Sequence, residues 1–577
     1  MHASRCLLFG FLLFVLPCVA APAEIDAPPS PLLQLADATL AAAPLERNGE
    51  HGNQLTLLEV GHDALVVRVH LIRQARRSIA LQTFIWTNDE CGRLLMFELI
   101  EAARRGVRVQ ILADHMFSDQ DADVVAFLAS ASPNLEIKHY RPAMKRLKPS
   151  LWHTLLAGLQ SFRDVNQRMH NKVLIVDDAV LITGGRNIEN TYFDQSLELN
   201  FRDRDVLAVG PVVHAARSSF DHFWNYRHAV PSRELVDVAA ALERNTFRRY
   251  QTRDEYALGS AWETVDREAN DIAHIESRFV QTLHPVDSVS FLSDEPGKSH
   301  HLLSRSARLT RELKDTVGTA EHTVVVQTPY LVLSDPARRL LRQLQKRRPD
   351  LQVRISTNSF ASTDNLMAYS ANYRLRNLYV EQLRLQVYEF KPQPASLLEL
   401  LPGHAELVQR AEPRVASGVQ QRLPFLCVHA KSLTIDDRVA FVGSYNLDPR
   451  SENLNTEVGL LVKDASFARA LRERIEADLR PENSWLIARR PLPLRLDAVN
   501  GLILDLFALT PVEIWPIQNT TSYELRPGAV PVPPDHPQFH QHYREAGAFP
   551  GTDGRFSTKE IVTRLYKAVG APLTPIL

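Results

Sequence analysis

The sequence predicts an α/β fold made of two similar repeats, each with a mainly parallel sheet flanked by helices. Two features of the 577-residue chain carry that expectation. The order strand, helix, strand occurs twice, and two histidine-centred segments repeat with one common spacing. Self-similarity of this kind marks a duplicated supersecondary unit. Alternation of short apolar strands with amphipathic helices favours an α/β layer structure.

The elements follow in chain order. Residues 1–23 carry a short basic start (His2, Arg5), an apolar run from Leu7 to Leu16 and small residues from Ala20 to Ala23. This is the pattern of a secretory signal or N-terminal anchor, and the run is too short for a comfortable membrane span. Export to the periplasm, or to the periplasmic face of the inner membrane, is expected. The first repeat is placed at 45–235. In it Ser78 to Thr83 reads as a strand, and Cys91 to Arg105 as a helix with Leu94, Leu95, Leu99 and Ala102 at helical spacing before Gly106. Val107 to Leu112 is the next strand. A charged, helix-prone connector is expected at 236–285, from Leu242 to Arg249 and from Trp262 to Ser277. The second repeat, at 286–485, runs from strand Thr323 to Thr328 through a helix started by Asp335 and Pro336 to strand Leu351 to Ile355. Both first strands end in Gln-Thr. Prolines recur from Pro491 to Pro537, so 486–577 is expected to be an extension wrapping the surface.

Composition narrows the function. Lys plus Arg number 66 against 67 acidic residues. Such a balance gives no bulk positive field for holding nucleic acid, so no nucleic-acid partner is expected. Outside 1–23 the only cysteines are Cys91 and Cys427, neither in a CxxC pair, which argues against a cysteine-built zinc or redox site.

The chemistry lies in the paired segments. His170, Lys172, Asp177, Gly184 and Asn187 recur as His429, Lys431, Asp436, Gly443 and Asn446 without any shift in register. Residues two apart on a strand face one side, so each histidine shares a face with its lysine. Asp177-Asp178 and Asp436-Asp437 supply turn chemistry, and apolar return strands follow at Val180 to Ile182 and Val439 to Val442. Each motif is therefore a hairpin. Gly184-Gly185 and Gly443-Ser444 let backbone approach whatever the histidine faces, while Asn187 and Asn446 bring neutral donors. Lysine suits a phosphate oxygen. One copy offers half a site, and two copies face to face would hold a phosphodiester between two imidazoles. The bland alternative is a pair of solvated charge clusters on hairpins.

Paired HxKxxxxD motifs with GGxN and GSxN extensions resemble the phospholipase D superfamily, from about residue 50 to 485. Arg168-Met169-His170-Asn171-Lys172 and the string Gly443-Ser444-Tyr445-Asn446-Leu447-Asp448-Pro449-Arg450-Ser451 are most similar to bacterial cardiolipin synthases of the C type. The resemblance implies two phospholipase D-type repeats packed as a pseudo-dimer, chemistry without metal or other cofactor, and a covalent phosphohistidine. It implies one histidine as nucleophile and the other as general acid and base; we assign His170 to the first role and His429 to the second, an order that near symmetry leaves open to reversal. Lys172, Lys431, Asn187 and Asn446 would bind phosphate. A carboxylate would orient each histidine: Glu457, and in the first half Asp203 in preference to Glu198, which has the same +28 offset. Asp177 and Asp436 complete the catalytic motif by resemblance, although their turn positions suit them to fixing the hairpins.

The implied partners are phospholipids such as phosphatidylglycerol and phosphatidylethanolamine at a membrane surface. A hydrolytic phospholipase D would have the same site with water as acceptor. A related endonuclease is disfavoured by the charge balance, and a non-catalytic lipid binder by intact His, Lys and Asn in both halves. Lys145, Arg146 and Lys148 before Leu151, Trp152, Leu155, Leu156 and Leu159 fit either a membrane-contact helix or an ordinary core helix. His300, His301, His540 and His542 read as surface residues.

Overall fold

The computed structural model describes residues 29–42, 51–114, 121–148, 166–259, 261–298, 307–420, 422–491 and 519–551. The expected export segment, the leucines following Lys148, and His300 and His301 lie outside the described residues.

In the first half the strands are β1 (Asn53–Leu58), β2 (Ser78–Thr83), β3 (Arg108–Asp114), β4 (Leu135–Tyr140), β5 (Val173–Val176), β6 (Val180–Gly184), β7 (Leu199–Arg202), β8 (Asp205–Val209), β9 (Ala229–Pro231) and β10 (His284–Val286). The second half supplies β11 (Ser288–Ser293), β12 (Thr323–Gln327), β13 (Gln352–Asn358), β14 (Gln386–Phe390), β15 (Phe425–Val428), β16 (Ser432–Ile435), β17 (Val439–Gly443), β18 (Val458–Lys463), β19 (Ser484–Arg489), β20 (Thr520–Leu525) and β21 (Tyr543–Gly547). One large sheet has the order β10-β1-β8-β6-β5-β2-β3-β4-β9, the other β11-β18-β17-β16-β12-β13-β14-β19-β20-β21, and β15 and β7 form a small sheet between the halves. From β1 to β9 and from β11 to β19 the two orders correspond strand for strand.

The expectation of mainly parallel sheets needs correction, because both sheets are mixed. Within the two large sheets only β2-β3-β4 and β12-β13-β14 run parallel. Parallel neighbours require a crossover, here the helices Glu90–Arg104 and Ala122–Ser130 in one half and Asp335–Arg347 and Leu366–Asn377 in the other. The histidine motifs then add antiparallel hairpins, β5-β6 and β16-β17, to the same sheets. Their turns have both central residues left-handed, with φ of 54° and 56° at Asp177 and Asp178 and 51° and 55° at Asp436 and Asp437. That is the mirror-image turn whose twist suits an antiparallel hairpin, closed here by the Ala179 and Arg438 N–H groups donating to the Val176 and Ile435 carbonyls, and aspartate tolerates it better than most side chains.

Apolar faces of the two sheets meet. One continuous core cluster joins Val173, Ile175, Leu181, Val206 and Phe220 of the first half to Val325, Val442, Val458, Leu460 and Leu471 of the second. Each such fully buried side chain is worth about 1.5–3 kcal/mol, so the halves are held together as one folding core holds itself. Residues 236–285, expected as a connector, form helices Val236–Arg244, Ala261–Asn270 and Ile272–Ile275 that bury Val238, Trp262, Val265 and Ile275 in the first core. Of the extension, residues 486–491 and 519–551 are described. Its β20 and β21 lengthen the second sheet beyond β19, with Tyr523, Phe539 and Tyr543 in a small cluster of their own. His540 and His542 belong to the short helix Phe539–His542 beside it. Cys91 and Cys427 are buried and unbridged. Among the described residues no helix is long and apolar enough to cross a membrane.

Candidate active site

The first motif strand starts later than its apolar pattern suggests. β5 begins at Val173, because the residues before it leave the first sheet and pair with the opposite half. Met169 bridges Thr456 in parallel, and the His170 N–H donates to the Thr456 carbonyl at 3.0 Å. The second half repeats the device: β15 pairs in parallel with β7, Val428 lies opposite Arg202, and the His429 N–H donates to the Arg202 carbonyl at 2.9 Å. Each histidine thus follows a bridge whose other strand runs on into a carboxylate. The consequence is a crossed arrangement. His170 Nδ1 lies 2.9 Å from Glu457 Oε2, and His429 Nδ1 lies 2.6 Å from Asp203 Oδ2. Holding Nδ1 in this way turns Nε2 of each ring away from its carboxylate.

Both carboxylates are those read from the sequence, while Glu198, at the matching offset, is exposed. Asp203 stands 203 − 170 = 33 residues after its motif histidine, Glu457 only 457 − 429 = 28. The strands explain the difference: Gly184 pairs with Asp205 and Gly443 with Gly459, so Asp203 and Glu457 occupy equivalent places two residues earlier.

Electrostatically the half-sites differ. Burial, reinforced by Lys172 and Lys431, holds the proton affinity of His170 well below that of a free imidazole. His429 is lowered too, by burial and then Lys431, but Asp203 works against both. Burial would raise Asp203, yet His429, Lys431 and Arg186 together hold its carboxyl below the ordinary aspartate range. For Glu457 burial wins, and its carboxyl is pushed up to about 7 despite Lys172 and the hydroxyls of Ser444 and Ser451. Ser451 Oγ donates to Glu457 Oε1 at 2.8 Å, and Ser444 Oγ donates to Oε2. A second layer fixes this side: the Glu457 N–H donates to Asp294, and Lys298 bridges Asp294 at 2.8 Å to the Ser451 carbonyl at 2.6 Å.

The lysines face the same space. Lys172 Nζ donates to the His170 carbonyl at 2.7 Å and lies 5.0 Å from the Phe84 ring centre, while Phe84 packs edge-on against His170. Lys431 Nζ donates to the His429 carbonyl and stands 2.7 Å from Nδ1 and 3.0 Å from Nε2 of the same ring. Burial lowers both ammonium groups, Lys431 to about 8 and Lys172 well below an ordinary lysine. Cations with costly desolvation and no full counter-charge are poised to accept an anion.

Two expectations change. Asp177 and Asp436 lie at the distal ends of the hairpins, seven residues from their histidines, and do not join the reacting groups. Asp177 accepts the backbone N–H groups of Arg76, Arg77 and Ser78, and Asp436 those of Glu321, His322 and Thr323, each at 2.7–2.9 Å. They clamp the starts of β2 and β12 to the hairpins. Asn187, an expected phosphate donor, instead donates to the Tyr192 hydroxyl at 2.8 Å and accepts from the Ile85 N–H. Tyr192 in turn reaches His429 Nε2 at 3.4 Å. Asn446 Oδ1 has no hydrogen-bond partner among the described residues. Tyr192 escaped the sequence reading, although it stands five residues after Asn187, as Ser451 stands five after Asn446. Extending the register comparison to that position would have exposed the pair. Among the described residues no group of three or more His, Cys, Asp or Glu side chains could hold a metal ion.

Comparison with known proteins agrees with the duplicated layout. The family model described as cardiolipin synthase, PLD-like domain, matches residues 69–224 and 313–479. Cardiolipin synthase C of Escherichia coli K12 is 30% identical over 448 residues, covering 75% of this chain and 87% of that protein. An uncharacterized protein of Helicobacter pylori 26695 is 30% identical over 484 residues, covering 83% and 88%. The crystal structure of phosphatidylserine synthase from Haemophilus influenzae Rd KW20 is 16% identical, with a TM-score of 0.47 over 82% of this chain and 97% of that one.

Proposed function

This chain belongs to the family of the cardiolipin synthase, PLD-like domain, and from that premise we propose that it transfers a phosphatidyl group between alcohols, making cardiolipin or a related phospholipid. The observation that carries the reading is the crossed pair of buried imidazoles, each with a carboxylate on Nδ1 and a lysine alongside. In the first step His170 Nε2 forms a bond to phosphorus as the bond to the leaving alcohol breaks. His429 gives that alcohol its proton. In the second step the acceptor hydroxyl returns a proton to His429, its oxygen bonds to phosphorus, and the P–N bond breaks. One phosphodiester replaces another, so no energy source is needed.

The order of the histidines rests on their surroundings. His170 is the imidazole kept more firmly neutral, as a nucleophile must be, and His429 has the more firmly ionised carboxylate, which favours carrying a proton. Lys172 and Lys431 would neutralise charge that grows on the equatorial oxygens in the transition state. Incubation with labelled phosphatidylglycerol, with and without phosphatidylethanolamine, tests the reading. Cardiolipin is the expected product. Phosphatidic acid alone under every acceptor condition would make the chain a hydrolase. Residues 1–23 are proposed to export the protein; a fused reporter active only outside the cytoplasm should light up, and a silent one would refute this.

A further inference from the structure

The walls beside the two histidines differ in a way the transfer reaction does not explain. Alignment of Gln82-Thr83, which ends β2, with Gln327-Thr328, where β12 ends, sets Phe84-Ile85 opposite Pro329-Tyr330. On the His429 side the Tyr330 hydroxyl donates to Asp364 Oδ2 at 2.8 Å. Asp364 Oδ1 lies 3.7 Å from Cys427 Sγ, and Cys427 is on β15 two residues before His429, which directly follows that strand. Asp364 is exposed, yet it forms no ion pair among the described residues. Its charge reaches both His429 and Lys431 and raises their proton affinity.

Asp364 is also rigidly placed. The loop before it is closed by Ser359 and Ser362, and Asn358 is bonded twice to the Val428 backbone, at 2.8 Å each way, immediately beside His429. Asn365 caps the helix Leu366–Asn377 directly after it. A fixed, unpaired carboxylate next to cations that receive a phosphate weakens their hold on that anion. It is an electrostatic liability unless the substrate brings a donor to meet it.

We propose that Asp364 and Tyr330 form a specificity subsite for the head of the alcohol that leaves or enters at His429, taking a hydrogen-bond donor one carbon beyond the carbon that carries the reacting oxygen. The donor is the neighbouring hydroxyl of a glycerol head or the ammonium of an ethanolamine head. The inference rests on the phosphatidyltransfer reading, and the test separates the two. Transfer from one phosphatidyl donor to glycerol, ethanolamine and 1-propanol is measured for the wild type, Asp364→Asn and Tyr330→Phe. The ratios of glycerol and of ethanolamine transfer to propanol transfer should fall about ten- to hundredfold in Asp364→Asn, the loss expected for a hydrogen bond to a charged group. Ethanolamine should suffer more than glycerol, and Tyr330→Phe should follow more weakly. Unchanged ratios would overturn the subsite even if transfer is observed. If only phosphatidic acid forms, the transfer reading fails, and the same ratios are read from head-group release by phosphatidylglycerol, phosphatidylethanolamine and phosphatidylpropanol. A selective loss there upholds the subsite, and a uniform loss removes it.

Discussion

The two half-sites solve one geometric problem with different parts. On the His170 side a long carboxylate, Glu457, is met by hydroxyls from Ser444 and Ser451. On the His429 side the carboxylate is one methylene shorter, and the equivalent backbone position is Gly185. A Cβ there would sit 2.1 Å from Asp203 Oδ1, so the missing side chain is what lets the shorter acid reach its histidine. Tyr192, the counterpart of Ser451, bypasses the carboxylate and meets the imidazole itself. Glu457 is accordingly pushed up to about 7 while Asp203 stays held below the usual range. Pseudo-symmetry in the backbone therefore does not make the halves electrostatically equivalent, and that inequivalence is what the proposed division into one nucleophile and one proton carrier rests on.

The comparison breaks most severely at the histidines. His170→Asn and His429→Asn should each cost at least about 10³-fold in turnover without unfolding the protein, since neither half can perform the other's step. Kinetics with phosphatidylglycerol, alongside thermal melts, checks this. Trapping of phosphatidylated protein divides the roles: His429→Asn should retain a labelled histidine, and His170→Asn should not. The reverse pattern would exchange the assignments.

The carboxylates should respond unequally. Asp203→Asn removes an ionised partner and offers a donor to Nδ1, and a loss of about 10³–10⁴-fold is expected by analogy with a misoriented catalytic imidazole. Glu457→Gln should cost less and also change the pH profile. In the wild type, kcat/KM should rise as pH passes upward through about 7, where Glu457 ionises, and fall above about 8 as Lys431 loses its proton. Glu457→Gln should abolish only the acidic limb. Persistence of that limb would assign it to another group.

Exchanging the small residues sharpens the contrast. Gly185→Ser should displace Asp203 and destabilise the fold by about 1–3 kcal/mol through overpacking. Ser444→Gly should lose one hydrogen bond to a charged group, about 1.5–3 kcal/mol before relaxation. Because that hydroxyl lowers the Glu457 pKa, its removal should move the acidic limb to higher pH. The smallest effect on catalysis is expected at the hairpin clamps. Asp177→Ala and Asp436→Ala should lower the melting temperature while leaving turnover per folded molecule within about threefold, because they bind backbone rather than reacting atoms.

Much of this molecule could be read locally. Strand-helix-strand order, the hairpins with their aspartate turns, and the common register of His170-Lys172 and His429-Lys431 follow from covalent neighbours and from periods of 2 and 3.6, which any segment carries within itself. The mixed sheets could not be read in this way, because the direction of a strand depends on which partner it finds. Nor could the crossing of the carboxylates. His170 meets Glu457 across 287 residues and His429 meets Asp203 across 226, through bridges that exist only once the halves have packed. The proton affinities lie further still from the sequence, since burial sets them before any neighbour does. The sequence by itself determined the two histidine-lysine pairs and the two carboxylates that meet them; the packing of two sheets around them decided which acid holds which base, turned Asp177, Asp436 and Asn187 to backbone and Tyr192, and left one imidazole more firmly neutral than the other.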